Sequence, residues 1–196
     1  MPDPKSEAKI SGSHSVVPAW TDVTALGHAA FRIRLGGQFE AAWLARFCRG
    51  LASQRISIQR AHAMRAPNRA WSAELHVLCL AGAPDLSCLP LLQLTAAELP
   101  EPTPLEIMRY ALTASTAHGG TLHLTIEAAD TLGLLGSLLA QLAKFQLHPI
   151  EMHIETRDGR AEDSLWLYTD HATRPTFEFQ EALERTLEAA LRSKVD

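Results

Sequence analysis

The chain has 196 residues, enough for one large domain or for two small domains of roughly 80 residues each. Hydrophobic residues make up 46% of it and charged residues 20%, which is typical of folded globular proteins and excludes a disordered or fibrous chain. Because 18 basic residues stand against 22 acidic ones, the net charge is -4 and the chain lacks the positive field that attracts nucleic acids or anionic membranes.

The cysteine content and the N-terminus indicate a cytoplasmic protein. The three cysteines, Cys48, Cys79 and Cys88, are odd in number and lie in apolar surroundings, which favours reduced thiols over a disulfide framework. Residues 1–19 lack the apolar core of a signal peptide, and no stretch reaches 18 consecutive apolar residues. We therefore expect neither secretion nor a membrane-spanning segment.

The first half of the chain predicts strands and one helix. Residues 1–23 have no periodicity and are expected to form a flexible tail. Apolar and polar residues alternate over 28–35, which predicts a strand, and apolar spacings of three and four predict a helix over 39–52. Two further strands are predicted, from Ile56 towards Met64 and from Trp71 to Leu80, joined by a turn.

The same order of elements returns in the second half. A short helical stretch is predicted after Asp85, and residues 105–115 fit both a helix and a strand, of which we favour the strand. The sequence then predicts a strand over 122–126, a helix over 134–146, a strand over 147–154, an Asp-Gly hairpin at 157–160, a strand over 164–168 and a closing helix over 179–191.

This recurrence predicts an internal repeat. A shift of 93 residues superimposes the apolar positions of the first strands, and a shift of 94 superimposes those of the helices and the strands that follow. The order strand, helix, hairpin, helix predicts an α+β fold of two ferredoxin-like βαββαβ units, over 24–115 and 116–196, with antiparallel sheets and helices on one face. The alternative is two unrelated α/β units that share a common order of elements.

One face of the second predicted sheet is neither apolar nor plainly a solvent face. Because side chains alternate across a strand, one set of residues faces away from the helices and includes two aromatic rings. We expect this face to meet another sheet, a second subunit or a ligand. Its residues are His123, Thr125, Glu127, Glu151, His153, Glu155, Trp166 and Tyr168.

The candidate ligand-binding residues lie between the first strand and the first helix of the second half. There the sequence reads Asp-x-x-Gly-Leu-Leu, from Asp130 to Leu135. Asp130 can cap the helix, Gly133 allows a ligand or another backbone to approach, and the free N–H groups of the first helical turn can bind a carboxylate. The same pattern also fits an ordinary capped helix.

This motif resembles the ligand loop of ACT domains, which are small regulatory modules. The resemblance covers residues 122–191, and a degenerate copy covers 31–94, where Gly36-Gly37-Gln38-Phe39 replaces the motif. In layout the chain is similar to stand-alone tandem ACT regulators of the glycine cleavage repressor type. The resemblance implies a non-catalytic homodimer that regulates a protein partner. It also implies an amino-acid effector, bound without a cofactor by Asp130, Leu132, Gly133, Leu134 and Leu135.

Other chemistries have weaker support in the sequence. His148, Glu151, His153 and Glu155 cluster along the chain, but a third strand bearing Trp166 should separate His123 from His153, so no metal site is expected. We find no nucleophile elbow or phosphate-binding loop, and therefore expect no enzyme.

Macromolecular partners other than protein are also disfavoured. RNA binding to the aromatic sheet face conflicts with the three glutamates there. An arginine-rich strip fits a solvated edge or an acidic protein partner; it comprises Arg32, Arg34, Arg55, Arg60, Arg65 and Arg69.

The sequence supports two functional hypotheses. The first is a regulatory protein that senses a small metabolite, with an amino acid favoured, through the 130–135 loop. The second is an interaction module that dimerises and binds a protein partner without any ligand.

Overall fold

Eight strands and four α-helices form the part of the chain that this computed structural model describes, residues 17–98, 105–169 and 177–192. The strands are β1 (Trp20–Gly27), β2 (Ala30–Gly37), β3 (Ile56–Arg65), β4 (Trp71–Cys79), β5 (Ile107–Ser115), β6 (Thr121–Ala129), β7 (Leu147–Arg157) and β8 (Arg160–Thr169). The helices are α1 (Trp43–Ser53), α2 (Leu91–Leu94), α3 (Leu134–Lys144) and α4 (Phe177–Arg192).

All eight strands belong to one antiparallel sheet in the order β1-β2-β4-β3-β7-β8-β6-β5. Each half contributes four neighbouring strands with the element order ββαββ. The halves join where β3 pairs with β7, and in that ladder His62 lies directly opposite His153. The strand order is therefore the same when it is followed inwards from either edge.

The two halves are related by an offset of 91 residues. Trp43 and Leu134 begin equivalent helices, Ile56 and Leu147 begin equivalent strands, and both β3 and β7 carry a bulge three residues into the strand. The sequence-based shifts of 93 and 94 are therefore out of register. Since the offset also relates His62 to His153, an approximate two-fold axis passes between these paired residues.

The prediction of two ferredoxin-like βαββαβ units is wrong. A βαββαβ unit ends with a strand after its last helix. In each half of this chain the additional strand, β1 or β5, instead comes before the first strand that the sequence predicted. Backbone pairing between β3 and β7 then merges the two expected sheets into one. The tandem ACT architecture that the resemblance implied is corrected in the same way.

The core lies between one face of this sheet and the helices. α1 and α3 pack against each other and against β3 and β7. At their crossing Gly136 lies so close to α1 that an added Cβ would be 2.5 Å from Arg49 Cγ and 2.9 Å from its backbone nitrogen. A hydrogen bond of 3.2 Å from Arg49 Nη1 to Ser137 Oγ also joins the two helices.

Several sequence predictions of individual elements are confirmed. Residues 105–115 do contain a strand, β5, which pairs with β6 and so belongs to the second half. The helical stretch after Asp85 is a single 3-10 turn over Leu86–Cys88 followed by α2. In contrast, β1 starts at Trp20, inside the predicted 1–23 tail, of which residues 1–16 lie outside the described residues.

The predicted faces of the second half are largely confirmed. Its inner positions are buried on β6, β7 and β8, with Ile150, next to the bulge, only partly so. Within the described residues, no helix is both long and apolar enough to cross a membrane.

Candidate functional site

The predicted ligand loop, Asp130 to Leu135, lies at the start of α3 and packs against α1. Leu134 and Leu135 are buried in the core, whereas Leu132 is 44% exposed. Gly133 has a φ of 90°, and an added Cβ would be 3.4 Å from the Cβ of Ala52 on α1. The glycine thus permits close approach of a helix of the same chain, which occupies the place predicted for a ligand.

Asp130 does not cap α3. The N-cap is Gly133, and no side chain accepts a hydrogen bond at this helix start. The backbone nitrogen of Asp130 instead donates to the carbonyl oxygen of Gly159, at 2.9 Å, which ties the loop to the β7–β8 hairpin. This backbone contact therefore closes the space between the start of α3 and the β7–β8 hairpin.

Behind the loop lies a small pocket of about 30 Å³, which we call the Asp163 pocket. Its walls include Asp130, Asp163 and Cys48, and its volume suits one water molecule. Asp163 is 4% exposed, and its Oδ1 has no hydrogen-bond partner in the described part of the chain. The pocket has no room for an amino acid.

Charge in this pocket is costly because bulk water is excluded. Burial, together with the nearby charge of Asp130, raises the pKa of Asp163 to about 7. Burial also raises the pKa of Asp130 above its usual range. The pKa of the Cys48 thiol is raised strongly, first by burial and then by Asp163, so this cysteine is held as an unreactive thiol.

The equivalent end of the first half is an open cleft of about 830 Å³, here called the first-half cleft. It lies between the start of α1, the β3–β4 hairpin and the ends of β7 and β8. Its volume falls within the range usual for small-molecule sites. The lining residues are Gln38–Ala45, Arg65, Pro67, Asn68, Arg69, Trp71, Leu139, His148, Pro149 and Tyr168.

Aromatic rings form the apolar wall of the first-half cleft. Trp43 stacks on Phe39 with ring centroids 4.4 Å apart and meets Trp71 edge-on at 5.4 Å. Trp43 is 2% exposed, yet its indole Nε1 has no hydrogen-bond partner in the described ranges. A buried N–H donor without an acceptor costs free energy that a bound acceptor oxygen would recover.

The polar wall carries positive charge. The guanidinium of Arg65 lies over the ring of Tyr168, 4.9 Å from its centroid. Arg69, at the hairpin tip, is exposed. Within the part of the chain that the structure describes, neither arginine is paired with a carboxylate. Among the described lining residues, only Glu40 is acidic; its side chain is 88% exposed, with Oε2 3.8 Å from Arg46 Nη1.

The start of α1 also borders the cleft, where the N–H of Trp43 donates to the carbonyl oxygen of Glu40 at 3.3 Å. Its N-cap is Ala42, which provides no side-chain hydrogen bond. The first N–H groups of a helix have no acceptor within the helix and carry partial positive charge. Ala42 also has a φ of 59°, a left-handed conformation that is unfavourable for residues other than glycine. Gly133 occupies the equivalent position in the second half.

The outer face of the sheet carries the predicted histidines. Trp166 of β8 lies between His123 and His153, stacking on the first at 4.5 Å and meeting the second edge-on at 5.6 Å. His123 Nε2 is 2.7 Å from Ser164 Oγ. Among the described residues no carboxylate is hydrogen-bonded to His123, so this pair lacks the third group that orients a catalytic base.

Sequence reasoning missed several of these residues. It assigned Trp43 to the helix core and Arg65 and Arg69 to a charged strip, because the cleft forms only when the hairpin returns over α1. It also passed over Asp163, although Ala161, Leu165 and Leu167 share its buried face. A carboxylate at an apolar position of a strand is the signal that could have identified it.

No family model, curated protein or solved structure matches the chain. The resemblance to ACT domains therefore has no support from relatives, and the function has to be argued from the geometry of the site.

Proposed function

We propose that this protein is a non-catalytic binding protein for a small organic carboxylate, an amino acid among them, which it takes up in the first-half cleft. The observation that carries this proposal is the lining of an 830 Å³ cleft by two arginines that no described carboxylate neutralises. The predicted loop from Asp130 to Leu135 is not proposed as the site, because the Asp163 pocket behind it holds only about 30 Å³.

The chemistry of the lining favours an anion. Arg65 and Arg69 carry positive charge, and the unpaired Nε1 of the buried Trp43 and the start of α1 supply N–H donors. A carboxylate can accept two parallel hydrogen bonds from one guanidinium, which fixes its orientation. Glu40 is placed to accept from the ammonium group of an amino acid.

The aromatic wall favours a ligand with an apolar part. Phe39 and Trp71 flank the buried Trp43 and offer ring faces and edges to the cleft. Burying apolar surface against them contributes roughly 25 cal/mol per Å². An aromatic or branched aliphatic carboxylate therefore fits this cleft better than a small dicarboxylate does.

A regulatory and cytoplasmic role is part of the same proposal. It is supported by the three free cysteines and by the unreactive state of Cys48. Ligand binding would fix the hairpin tip against the start of α1 and so change the surface offered to a protein partner.

Thermal unfolding with a panel of carboxylates tests the proposal. Aromatic and aliphatic amino acids and 2-oxo acids should raise the melting temperature by several degrees, while the matched amides should not. A ligand at 100 times its Kd adds about 2.7 kcal/mol to the free energy of unfolding.

Variants then locate the site. Arg65→Ala and Arg69→Ala should each abolish the shift, whereas Arg34→Ala, on β2 and outside the cleft, should retain it. The proposal is wrong if no carboxylate stabilises the protein, or if all three variants respond as the wild type does.

An interaction module remains the second candidate, because an edge of the sheet carries exposed apolar side chains. On β1, which has no neighbour on its outer side in the described residues, Trp20 is 45% and Leu26 is 50% exposed. Such an edge can pair with a second copy. Sedimentation should show a dimer that Leu26→Lys dissociates and that Met108→Lys, on the opposite edge strand, leaves intact.

A further inference from the structure

Three metal-ligating side chains meet where the two halves join. His62 lies on β3, and Glu151 and His153 lie two residues apart on β7. All three project from the face of the sheet opposite α1 and α3, since their strand neighbours Ala61, Ala63, Met152 and Ile154 are buried beneath the helices. This is a different surface from the first-half cleft.

The ligand atoms are close enough to share one ion. Glu151 Oε1 is 2.8 Å from His153 Nε2 and 3.9 Å from His62 Nε2, and one ligand atom from each residue lies within 4.8 Å of the other two. Tetrahedral zinc, with bonds of about 2.0–2.1 Å, requires separations of roughly 3.3 Å between ligand atoms. The observed distances lie on both sides of that value. The two imidazole rings are stacked with centroids 4.5 Å apart, and they would have to rotate to direct both nitrogens at one ion.

A third histidine holds the carboxylate in place. His118, in the turn before β6, has its Nε2 2.8 Å from Glu151 Oε2, the oxygen that faces away from the other two histidines. Its side chain is only 25% exposed and its ring meets Trp166 edge-on. Hydrogen bonds of this kind orient metal ligands in known sites.

The neighbouring charges do not oppose a cation. Arg60, the nearest arginine along β3, is bonded to Glu155 at 2.6 Å, and Arg157 is bonded to the same carboxylate at 2.7 Å. The ion-pair partners of Glu151 among the described residues, in contrast, are all histidines. The described residues therefore place no arginine or lysine against this carboxylate.

We propose that His62, Glu151 and His153 bind one divalent transition-metal ion of the zinc class, with His118 as a positioning residue for Glu151. Two imidazole nitrogens and one carboxylate oxygen suit zinc, cobalt or nickel rather than magnesium or calcium, which prefer oxygen ligands. Both histidine side chains are 51% exposed, so solvent can reach the fourth position of the ion. This inference is independent of carboxylate binding in the cleft.

Metal binding is tested on the full chain after removal of metals by chelation. Zinc is titrated in competition with a chromogenic chelator, and cobalt is titrated while its visible absorption is recorded. We expect one ion per chain and the intense cobalt bands of a tetrahedral site.

His62→Gln and His153→Gln should each weaken zinc binding by more than the ~10–100-fold typical of changes outside the ligand shell. The matched control is His76→Gln, a half-buried histidine on β4 that is also hydrogen-bonded to a glutamate and should bind zinc as the wild type does. Circular dichroism checks that each variant is folded. Should one ligand variant fail to fold, the other ligand variant and the wild-type cobalt spectrum decide.

The positioning role has its own readout. His118→Ala should lower zinc affinity by about 10–100-fold while the cobalt bands keep their wild-type shape, and His118→Gln, which can still donate to Glu151, should recover part of the affinity. The proposal is overturned if cobalt shows only weak six-coordinate bands, or if His62→Gln and His153→Gln bind zinc as tightly as His76→Gln.

Discussion

The first-half cleft and the Asp163 pocket occupy equivalent places in the two halves but differ almost thirtyfold in volume. In the first half five residues, 66–70, join β3 to β4, whereas Asp158 and Gly159 alone join β7 to β8. Gln38 reaches the longer hairpin through its side chain, with Nε2 3.1 Å from the carbonyl oxygen of Asn68. Direct backbone bonding between Asp130 and Gly159 closes the shorter one.

The two halves therefore share a fold but differ in the cavity at the start of the helix. Trp43 and Leu134 begin equivalent helices. Beside Trp43 lie further aromatic rings and two arginines that no described carboxylate neutralises. The second half has instead placed a carboxylate, Asp163, in its core. One end is therefore an open cleft lined by aromatic rings and arginines, and the other is closed around a buried carboxylate.

The largest expected effect comes from truncating the two equivalent residues. Trp43→Ala should lower the free energy of unfolding by about 4 kcal/mol and Leu134→Ala by about 3 kcal/mol, because both are buried and leave cavities. Urea denaturation measures both values. Only Trp43→Ala should also abolish carboxylate binding, and equal loss of binding in Leu134→Ala would contradict the assignment of the site to the first half.

Forcing the helices apart should open the closed end. Gly136→Val places side-chain atoms where Arg49 Cγ and its backbone lie, and should destabilise the protein by roughly 2 kcal/mol. Gly136→Ala, with one added carbon, is the graded control and should cost less. Denaturation with an environment-sensitive dye reports the new cavity. Unchanged stability in both variants would show that this crossing does not keep the Asp163 pocket shut.

The pH dependence of stability should report on Asp163. Its pKa of about 7 lies above its unfolded value of about 3.9, so between these pH values the folded protein retains a proton that the unfolded chain has lost. The free energy of unfolding therefore falls as pH rises from 4 to 7, by at most about 1.4 kcal/mol per pH unit. Above pH 7 both states are ionised and this contribution stays constant.

Asp163→Asn should remove this slope, which denaturation at pH 5, 6, 7 and 8 will measure. Asp22→Asn, at an exposed position of β1, should keep the wild-type profile. Identical pH profiles of the wild type and Asp163→Asn would show that the buried carboxyl does not titrate in this range.

The smallest expected effect concerns the two helix starts. Ala42→Gly relieves the left-handed strain at φ 59° and should stabilise the protein by about 0.5 kcal/mol, after the entropy cost of glycine is subtracted. Gly133→Ala should destabilise it by about 1 kcal/mol, because the same strain is introduced there. Opposite signs in thermal denaturation are the expected result, and equal signs would contradict the equivalence of the two positions.

Local patterns in the sequence were sufficient for the elements but not for their pairing. The alternation of apolar and polar residues correctly predicted that Leu122 and Leu124 of β6 are buried and that His123 faces outwards. The predicted turn at Asp158-Gly159 has the positive φ values of a tight hairpin. The joining of β3 to β7 depends on backbone edges about 90 residues apart, which leave no local signal. For this reason His62 could not be assigned to the cluster with Glu151 and His153.

The error in the repeat has a simple physical origin. The predicted shift of 94, which covered the helices and the strands that follow them, exceeds the observed 91 by three residues, close to one helical turn. The shift of 93 for the first strands exceeds it by two, one full strand period. Apolar positions of the helices and of the first strands superimpose equally well after such slips. Special backbone positions, such as Ala42 and Gly133, give the correct register because they do not recur periodically.

The His62–His153 pair on the approximate two-fold axis suggests how such a chain could arise. Two identical surfaces that meet across a two-fold axis have the geometry of a homodimer. A half-length ancestor would have exposed the edge of its β7 equivalent and paired there with its own copy, residue 153 facing residue 153. Duplication and fusion of the gene would then have turned a subunit contact into the centre of one sheet. After such a fusion the two equivalent ends of the sheet would have been free to diverge.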